Sequence, residues 1–341
     1  MIRDPFTDLP EFADVEDAAE RLHGVTVRTP LLRNDVLDER VGAPVWIKPE
    51  SLQRTGSFKV RGAFNRISRI PEEVRARGVV AFSSGNHAQG VAYAARLLGL
   101  PATIVMPSDA PASKVEGTRR LGAKIRLYDR ANESREDIGA EISRTTGATL
   151  VKPYDDAWVI AGQGTAALEA IDDAAAAGVT FERMLCGASG GGLLAGGVLA
   201  FGARAPDAKI FVVEPEAHDD HARSLAAGPD RADRCENAPG HHSIADALMA
   251  PTPGELTYRI NGPRVAGGFA VSDADILGAM RFAFEHLKLV LEPGGAVSLA
   301  AVLARPETVV GAGPILLIAT GGNVDAAMFQ RALDGPPAAQ D

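Results

Sequence analysis

The sequence predicts an α/β fold in which two open, twisted, mainly parallel sheets are flanked by helices. Short apolar runs, bounded by Gly, Pro or polar residues, alternate along the chain with amphipathic segments of helical length. This alternation indicates strand–helix–strand crossover units, which build parallel sheets covered on both faces. The chain has 341 residues. Its strand–helix units are too numerous for the single sheet of a small domain, so two sheets are expected.

The individual elements follow from these apolar patterns. Strands are expected at residues 78–84, 102–107, 124–129, 183–189, 209–215 and 314–322. Helices are expected at residues 87–99, 133–147, 162–177 and 274–287, where apolar residues recur with the helical period. The chain ends in GPPAAQD (335–341), which is predicted to be disordered.

Composition excludes several classes of function. The formal charge is −9 and no long Lys/Arg block occurs, so sequence-independent nucleic-acid binding is not expected. No apolar stretch approaches the roughly 20 residues of a membrane helix, and the acidic N-terminus is no signal peptide. Two cysteines exclude a disulfide framework and a thiolate zinc cluster. We therefore expect a soluble, cytoplasmic protein.

The first candidate for chemistry is a lysine at a predicted helix start. In SLQRTGSFKVRGAFN (51–65), Ser57 is expected to cap a helix that runs through Arg61, with Lys59 in its first turn. The positive end of a helix dipole disfavours protonation of a lysine, and a lowered pKa is what a Schiff-base amine requires. An ordinary solvated lysine is the alternative, and this segment alone favours it.

Three further loops follow predicted strands. SSGNHAQG (83–90) either binds a carboxylate or phosphate at a helix start or merely caps that helix, and His87 is better explained by capping or packing than as a base. CGASGGGLLAGG (186–197) carries glycines whose amides can converge on one anion, which suggests phosphate. The third loop ends an apolar strand in IATGGNVD (318–325). Either the strand opens on a cleft, with the Thr320 hydroxyl at its mouth, or the segment is an ordinary tight turn. Together, the lysine and the three loops describe a pyridoxal phosphate site.

Six segments occur in a characteristic order: TGSFKVRGA, SSGNHAQGVAYAA, VIAGQGT, SGGGLLAG, EPGGA and TGGN. With them, residues 20–328 or so resemble the fold type II pyridoxal-phosphate enzymes, and more narrowly the serine/threonine dehydratase and serine racemase family. The resemblance implies a tryptophan synthase β-like fold with the cofactor in the cleft between two domains. We expect a large domain (1–52 and 155–330), a small domain (53–154), a tail (331–341) and a homodimer.

The resemblance also implies a role for each matching residue. Lys59 would hold pyridoxal phosphate covalently, with Phe58 beside the ring, Asn86 on the ring hydroxyl and Thr320 on the pyridine nitrogen. The phosphate loop would consist of Ser189, which replaces the usual first glycine, with Gly190, Gly191, Gly192 and Leu193. The substrate carboxylate would be held by Ser83, Ser84, Gly85, Asn86 and His87.

The expected reaction is β-elimination. A neutral hydroxyl at Thr320, where an aspartate would make the ring a strong electron sink, favours elimination over transamination. We expect an ammonia-lyase that converts L-threonine or L-serine to a 2-oxo acid and ammonia, with Lys59 removing the Cα proton. Ser84 would return a proton from the opposite face, so serine racemase is an alternative. Arg135 is either an exposed helix residue or a group that binds a second carboxylate, and in the latter case threo-3-hydroxyaspartate becomes a candidate substrate.

The segment EPEAHDD (214–220) resembles the family's divalent-metal site. Glu214 and Asp220 would give carboxylates and His218 its backbone carbonyl, a set of hard oxygens that suits Mg²⁺, Mn²⁺ or Ca²⁺. Without the resemblance, an acidic surface loop is the simpler interpretation. His218 and His221 could suggest zinc, but their spacing is better explained by exposed polar residues of a loop. Two functions from other classes compete with the enzyme as a whole: an NAD- or nucleotide-binding oxidoreductase built on residues 187–192, and a catalytically silent binding protein.

Overall fold

The computed structural model describes residues 4–83, 85–110, 112–227, 234–238, 240–309, 311 and 313–335. Ser84, to which a catalytic role was assigned, lies outside the described residues, and so does nearly all of the tail segment predicted to be disordered. The last described helix continues to Asp334, so residues 331–334 of the tail predicted to follow the large domain (331–341) are helical.

The described residues form two sheets. Their strands are β1 (Leu32–Arg33), β2 (Val45–Pro49), β3 (Val79–Phe82), β4 (Ala102–Pro107), β5 (Lys124–Tyr128), β6 (Thr149–Leu150), β7 (Arg183–Gly187), β8 (Lys209–Pro215), β9 (Val265–Val271) and β10 (Ile315–Ala319). The larger sheet has the order β1-β2-β10-β7-β8-β9, and only the β1–β2 pair is antiparallel. The smaller sheet, β5-β4-β3-β6, is parallel throughout. The predicted fold class is confirmed, whereas the predicted domain bounds stay a prediction.

Helices connect the strands. They are α1 (Phe12–Leu22), α2 (Asp35–Val41), α3 (Lys59–Ser68), α4 (Glu72–Arg75), α5 (Asn86–Leu97), α6 (Ala112–Arg120), α7 (Arg135–Thr146), α8 (Ala157–Ala176), α9 (Gly192–Arg204), α10 (Asp220–Ala226), α11 (Glu255–Asn261), α12 (Asp273–Phe282), α13 (Pro293–Ala304), α14 (Pro306–Val309) and α15 (Ala326–Asp334). A π-helical turn at Ala283–Leu287 extends α12 to the end of the predicted helix 274–287. Among the described helices, none is both long enough and apolar enough to cross a membrane.

The central strand β10 shows why the larger sheet is buried on both faces. All five of its residues are buried. Leu316 and Ile318 belong to an apolar cluster under α8 and α9, while Ile315 and Leu317 belong to a second cluster under α12 and α13. Successive strand residues point to opposite faces, so a continuous apolar run is what a sheet covered on both sides requires. The short run at 314–322 was therefore a reliable strand signal.

Candidate active site

One cavity of about 170 Å³ is lined by every described residue that was predicted to bind the cofactor or the substrate. Loops that follow the carboxyl ends of β3, β7 and β10 form part of its wall, the place where ligands bind in open α/β sheets. The predicted cofactor and substrate residues on its wall are Phe58, Lys59, Ser83, Gly85, Asn86, His87, Arg135, Ser189, Gly190, Gly191, Gly192, Leu193 and Thr320. The cavity thus unites loops that lie far apart in the sequence.

Lys59 is the first residue of α3, as predicted, but the expected cap is wrong. Ser57 is extended and pairs with Gly321 as an isolated bridge, and its buried Oγ has no hydrogen-bond partner among the described residues. The helix begins after Phe58, whose backbone N–H donates to the carbonyl oxygen of Thr320 (3.2 Å). Thr55, just before this loop, has a φ of 62°, which is strained for a β-branched residue. The lysine is therefore held by the end of β10 rather than by a helix cap.

The Lys59 amine is prepared to act as a nucleophile. Its Nζ donates to the carbonyl oxygen of Pro153 (2.9 Å) and lies 5.1 Å from the centroid of the Phe58 ring. Burial lowers the pKa of Lys59 to about 8, although the Glu292 carboxylate acts in the opposite direction. At pH 7 about 10% of such an amine is neutral, compared with about 0.03% at a pKa of 10.5. The alternative of an ordinary solvated lysine does not describe this environment.

A chain of side-chain hydrogen bonds fixes Asn86 at the start of α5. Asn323 Nδ2 donates to Asn86 Oδ1 (2.8 Å) and to the carbonyl oxygen of Thr55 (2.7 Å). Asn86 Nδ2 in turn donates to Glu292 Oε1 (2.5 Å). Burial raises the pKa of Glu292 to about 7, with the Asn86 hydrogen bond opposing the rise. Sequence reasoning assigned no role to Asn323, although it is the last residue of the TGGN segment.

The glycine loop leads from β7 into α9. Gly191 has a φ of 89° and caps α9, whose first-turn N–H groups have no partner within the helix and suit an anion. A Cβ on Gly190 would lie 2.3 Å from Cγ of the Tyr154 ring, so a side chain has no room there. Ser189 Oγ accepts a bond from the backbone N–H of Ala250 (3.1 Å), which gives this serine a partner in the neighbouring loop. The loop has the form of a phosphate cradle.

Arg135 and His87 complete the wall in different ways. Arg135 is half-buried, donates from Nε to Glu136 Oε1 (2.7 Å) and stacks over the Phe82 ring (5.6 Å). Arg135 is one of the residues that line the cavity. His87 is buried with Nε2 2.9 Å from the Val151 carbonyl oxygen, and burial lowers its pKa to about 3. The imidazole of His87 is therefore neutral at pH 7, and a role for it in binding the substrate carboxylate stays a prediction.

The predicted metal residues lie outside this cavity, in a separate buried cluster. Glu214 at the end of β8, Asp220 at the start of α10 and His221 have ligand atoms within 4.8 Å of one another. All three are buried, as is His218, so the interpretation of this segment as an exposed acidic loop is wrong. Burial and the nearby Glu214 carboxylate raise the pKa of Asp220 to about 7. The donors fit a divalent cation, and they include an imidazole that the predicted oxygen set did not contain.

Comparisons with known proteins agree with this geometry. Residues 23–321 match the family described as pyridoxal-phosphate dependent enzyme. L-threo-3-hydroxyaspartate ammonia-lyases from a Pseudomonas species and from Saccharomyces cerevisiae are 45% and 41% identical over 327 residues. That alignment is 96% of this chain in both cases, and 99% and 97% of those relatives. The structure of maize serine racemase superposes with a TM-score of 0.88 at 36% identity, covering 96% of this chain and 97% of that one.

Proposed function

Since the chain belongs to the family of pyridoxal-phosphate dependent enzymes and is an ammonia-lyase of that family, we propose that it acts on L-threo-3-hydroxyaspartate. The products would be oxaloacetate and ammonia. This substrate was the alternative that Arg135 suggested in the sequence, and two similar proteins carry this activity in their names. L-threonine and L-serine, the first expectation, become the competing substrates.

The cavity residues fit the cofactor. Pyridoxal phosphate, when bound, supplies an electron-accepting ring conjugated to the substrate nitrogen, which acidifies the Cα proton. Lys59 would hold its aldehyde carbon, and the loop from Ser189 to Leu193 would hold its phosphate. Asn86 and Thr320 would hold the ring hydroxyl and the ring nitrogen. The amine of lowered pKa and the cradle that excludes side chains are the observations that support this fit.

The observation that carries the substrate proposal is the presence of Arg135, a cationic residue, among those that line the cavity. The ion pair that the structure gives Arg135 is with Glu136, whose side chain is half exposed, so a substrate carboxylate can replace it at small cost. A second cation on the same wall, Lys114, is already paired with Asp246 (2.5 Å). A second carboxylate on the substrate therefore meets two paired cations on this wall, of which Arg135 has the planar guanidinium that binds a carboxylate through two parallel hydrogen bonds, and neither serine nor threonine possesses such a group.

The proton steps follow from the positions of these side chains. The loop at Ser83, Gly85 and Asn86 would hold the α-carboxylate at the start of α5, and Arg135 the β-carboxylate. Lys59 Nζ would take the proton from Cα while the bond from Cβ to the hydroxyl oxygen breaks, and the hydroxide would leave as water with that proton once Lys59 releases it. The released enamine tautomerises and is hydrolysed to oxaloacetate and ammonia. Burial, which lowers the pKa of Lys59, keeps this base from being permanently protonated.

A substrate panel tests the proposal. The purified enzyme would be given L-threo-3-hydroxyaspartate, L-threonine and L-serine separately, with oxaloacetate, 2-oxobutanoate, pyruvate and ammonia measured. The expected result is a kcat/KM for hydroxyaspartate that is at least about tenfold higher than for either other amino acid, as one charge-assisted bond provides. A higher value for L-threonine or L-serine would overturn it. D-serine formation would be measured in parallel, because racemisation rests on Ser84. The homodimer, the divalent cation and the cytoplasmic location stay predictions.

A further inference from the structure

A buried ionic cluster lies behind the helix that carries Lys59. Its members are Lys48 in β2, Glu50 directly after that strand, Arg61 in α3 and Glu169 in α8. Three of the four side chains are 0% exposed, and that of Glu169 is 14% exposed. With two cations and two carboxylates, the cluster carries no net charge. It joins β2, α3 and α8, which lie far apart in the sequence.

The guanidinium of Arg61 is at the centre of the ionic cluster, and every one of its N–H groups has an acceptor. It donates to Glu50 from Nε (Oε2, 2.7 Å) and from Nη2 (Oε1, 2.9 Å). It donates to Glu169 from Nη1 (Oε1, 2.8 Å) and from Nη2 (Oε2, 2.9 Å). The remaining N–H, on Nη1, donates to the Thr165 hydroxyl (3.1 Å). A planar guanidinium that two carboxylates hold through paired bonds has one allowed orientation.

The two carboxylates are held in place in their turn. Lys48 Nζ donates to Glu169 Oε2 (2.7 Å) and to the carbonyl oxygen of Thr29 (2.7 Å). The Thr29 hydroxyl donates to Glu50 Oε1 (2.8 Å). Each charge therefore has a partner of opposite sign, as a buried charge requires. Apolar side chains of similar volume often give equal or greater stability than buried ion pairs, so the distinctive property of the cluster is the single geometry that it imposes.

The ionic cluster and the cavity lie on opposite sides of α3. Lys59 lines the cavity, whereas Arg61 is not among the described residues that line it. Two residues along an α-helix correspond to a rotation of about 200°, so the two side chains leave the helix in nearly opposite directions. The backbone of α3 also packs closely on both neighbours. A Cβ on Gly162 of α8 would lie 2.7 Å from the carbonyl oxygen of Arg61, and a Cβ on Gly90 of α5 would lie 3.0 Å from the carbonyl carbon of Lys59.

We infer that Arg61 is a positioning residue for Lys59. Its ion pairs with Glu50 and Glu169 fix the rotation of α3, and with it the place of the Lys59 amine in the cavity. Without these pairs, α3 can turn and the amine can leave the carbonyl oxygen of Pro153, which lies 2.9 Å away. The inference rests on the proposed role of Lys59 as the residue that holds the cofactor.

A double variant tests the inference without leaving an unpaired buried charge. Arg61→Met combined with Glu50→Gln removes one cation and one carboxylate and keeps the other ion pair of the cluster. Its Tm should stay within a few degrees of the wild type, because a buried pair that is removed as a whole costs little stability. The matched control is Arg28→Met combined with Asp173→Asn, which removes an exposed ion pair between α8 and the N-terminal segment.

The first measurement uses the full-length protein without cofactor. Trace acetylation of Lys59 at a series of pH values, followed by digestion and mass spectrometry, gives the pKa of its amine. Burial lowers the pKa of Lys59 to about 8, and the control variant should have the same pKa as the wild type. In the double variant the amine should reach water, so its pKa should rise toward about 10.4. A double variant with the wild-type pKa would overturn the inference.

The second measurement uses the enzyme loaded with pyridoxal phosphate. Displacing a reacting group by about 1 Å costs up to about 100-fold in rate, so kcat of the double variant should fall at least about tenfold. KM should change less than about threefold, because the residues proposed to bind the substrate lie outside α3, and the visible circular dichroism of the cofactor should weaken. An unchanged kcat, or an equal loss in the control variant, would contradict the inference.

Arg61→Lys separates geometry from charge and replaces the double variant if that protein does not fold. It keeps the cluster neutral, but an ammonium cannot hold two carboxylates through paired bonds, so kcat should stay at least about fivefold below the wild type. Full recovery of kcat would show that charge alone matters and would overturn the positioning role. Acetylation of Lys59 needs neither cofactor nor substrate, so it tests the ionic cluster even if a different lysine holds the cofactor or the proposed substrate is wrong.

Discussion

Replacing Arg135 with methionine should remove the preference for a substrate with two carboxylates. The change keeps the apolar length of the side chain over Phe82 and deletes only the guanidinium. The backbone at this position does not depend on the side chain, because Ser134 caps α7 by accepting a bond from the N–H of Asp137 (3.1 Å). The lost ion pair with Glu136 is exposed and contributes little to folding. The variant should therefore fold as the wild type does.

The magnitude follows from the bond that is lost. A hydrogen bond to a charged group contributes about 1.5–3 kcal/mol, and each 1.36 kcal/mol is a factor of ten. The kcat/KM for L-threo-3-hydroxyaspartate should fall roughly 10–150-fold. L-threonine lacks the second carboxylate, so its kcat/KM should change less than about threefold, and the ratio of the two values should fall by at least about tenfold.

Coupled assays for oxaloacetate and 2-oxobutanoate measure both values on one enzyme preparation. Lys114→Met is the control, because it removes the other cation of the cavity wall, which is paired with Asp246 and has no planar guanidinium, and it should change the kcat/KM of both substrates by a similar small factor. If Arg135→Met lowers both substrates equally, Arg135 acts on folding or on the α-carboxylate. If Lys114→Met has the selective effect, the β-carboxylate binds on the other side of the cavity.

Three further predictions concern pH and packing. Burial lowers the pKa of Lys59 to about 8, so the rate at which the cofactor-free protein binds pyridoxal phosphate should rise with pH through a midpoint near pH 8. The rate is measured by the absorbance of the bound cofactor. A midpoint near pH 10 would show that the pKa of this amine is not lowered. Burial raises the pKa of Glu292 to about 7, so the folded state binds more protons than the unfolded state between pH 4.5 and 7 and stability falls as pH rises there. Glu292→Gln should flatten this dependence and raise the Tm of the cofactor-free protein at pH 8 by a few degrees in calorimetry, and an unchanged profile would refute it. Gly196→Ala in α9 puts a Cβ 2.4 Å from the backbone nitrogen of Gly164 and should lower the free energy of unfolding, measured in urea, by about 1–3 kcal/mol. Gly202→Ala, which has open space around the new Cβ, is the control and should not lower it. Equal effects of the two changes would show that α8 and α9 do not pack this closely.

The fold was predictable where the sequence signal is local. Continuous apolar runs such as β10 identify strands that are buried on both faces, and the glycines before α9 identify a loop whose backbone approaches other groups closely. Strands β1 and β6 have two residues each and carry no pattern, while β9 (VAGGFAV) contains two glycines that weaken a strand signal. These elements exist because neighbouring strands pair with them.

The site was predictable for the residues that carry a motif and not for those placed by distant contacts. Lys59 and Asn86 stand at helix starts that the sequence indicates. His221 follows acidic residues that indicate an exposed loop, yet its side chain is buried. It packs against Gly191, which lies about thirty positions earlier in the chain. The start of α3 shifted past Ser57 because Gly321, at the far end of the sequence, pairs with it. Such contacts depend on the assembled sheets and leave no local pattern.

The most direct test of the whole account is the identity of the lysine that holds the cofactor. Protein loaded with pyridoxal phosphate would be reduced with borohydride, digested and examined by mass spectrometry. A phosphopyridoxyl group on Lys59, absent from the Lys59→Ala variant together with the visible absorption of the loaded enzyme, is the predicted result. Modification of a different lysine, or a Lys59→Ala variant that retains the absorption and full turnover, would contradict it.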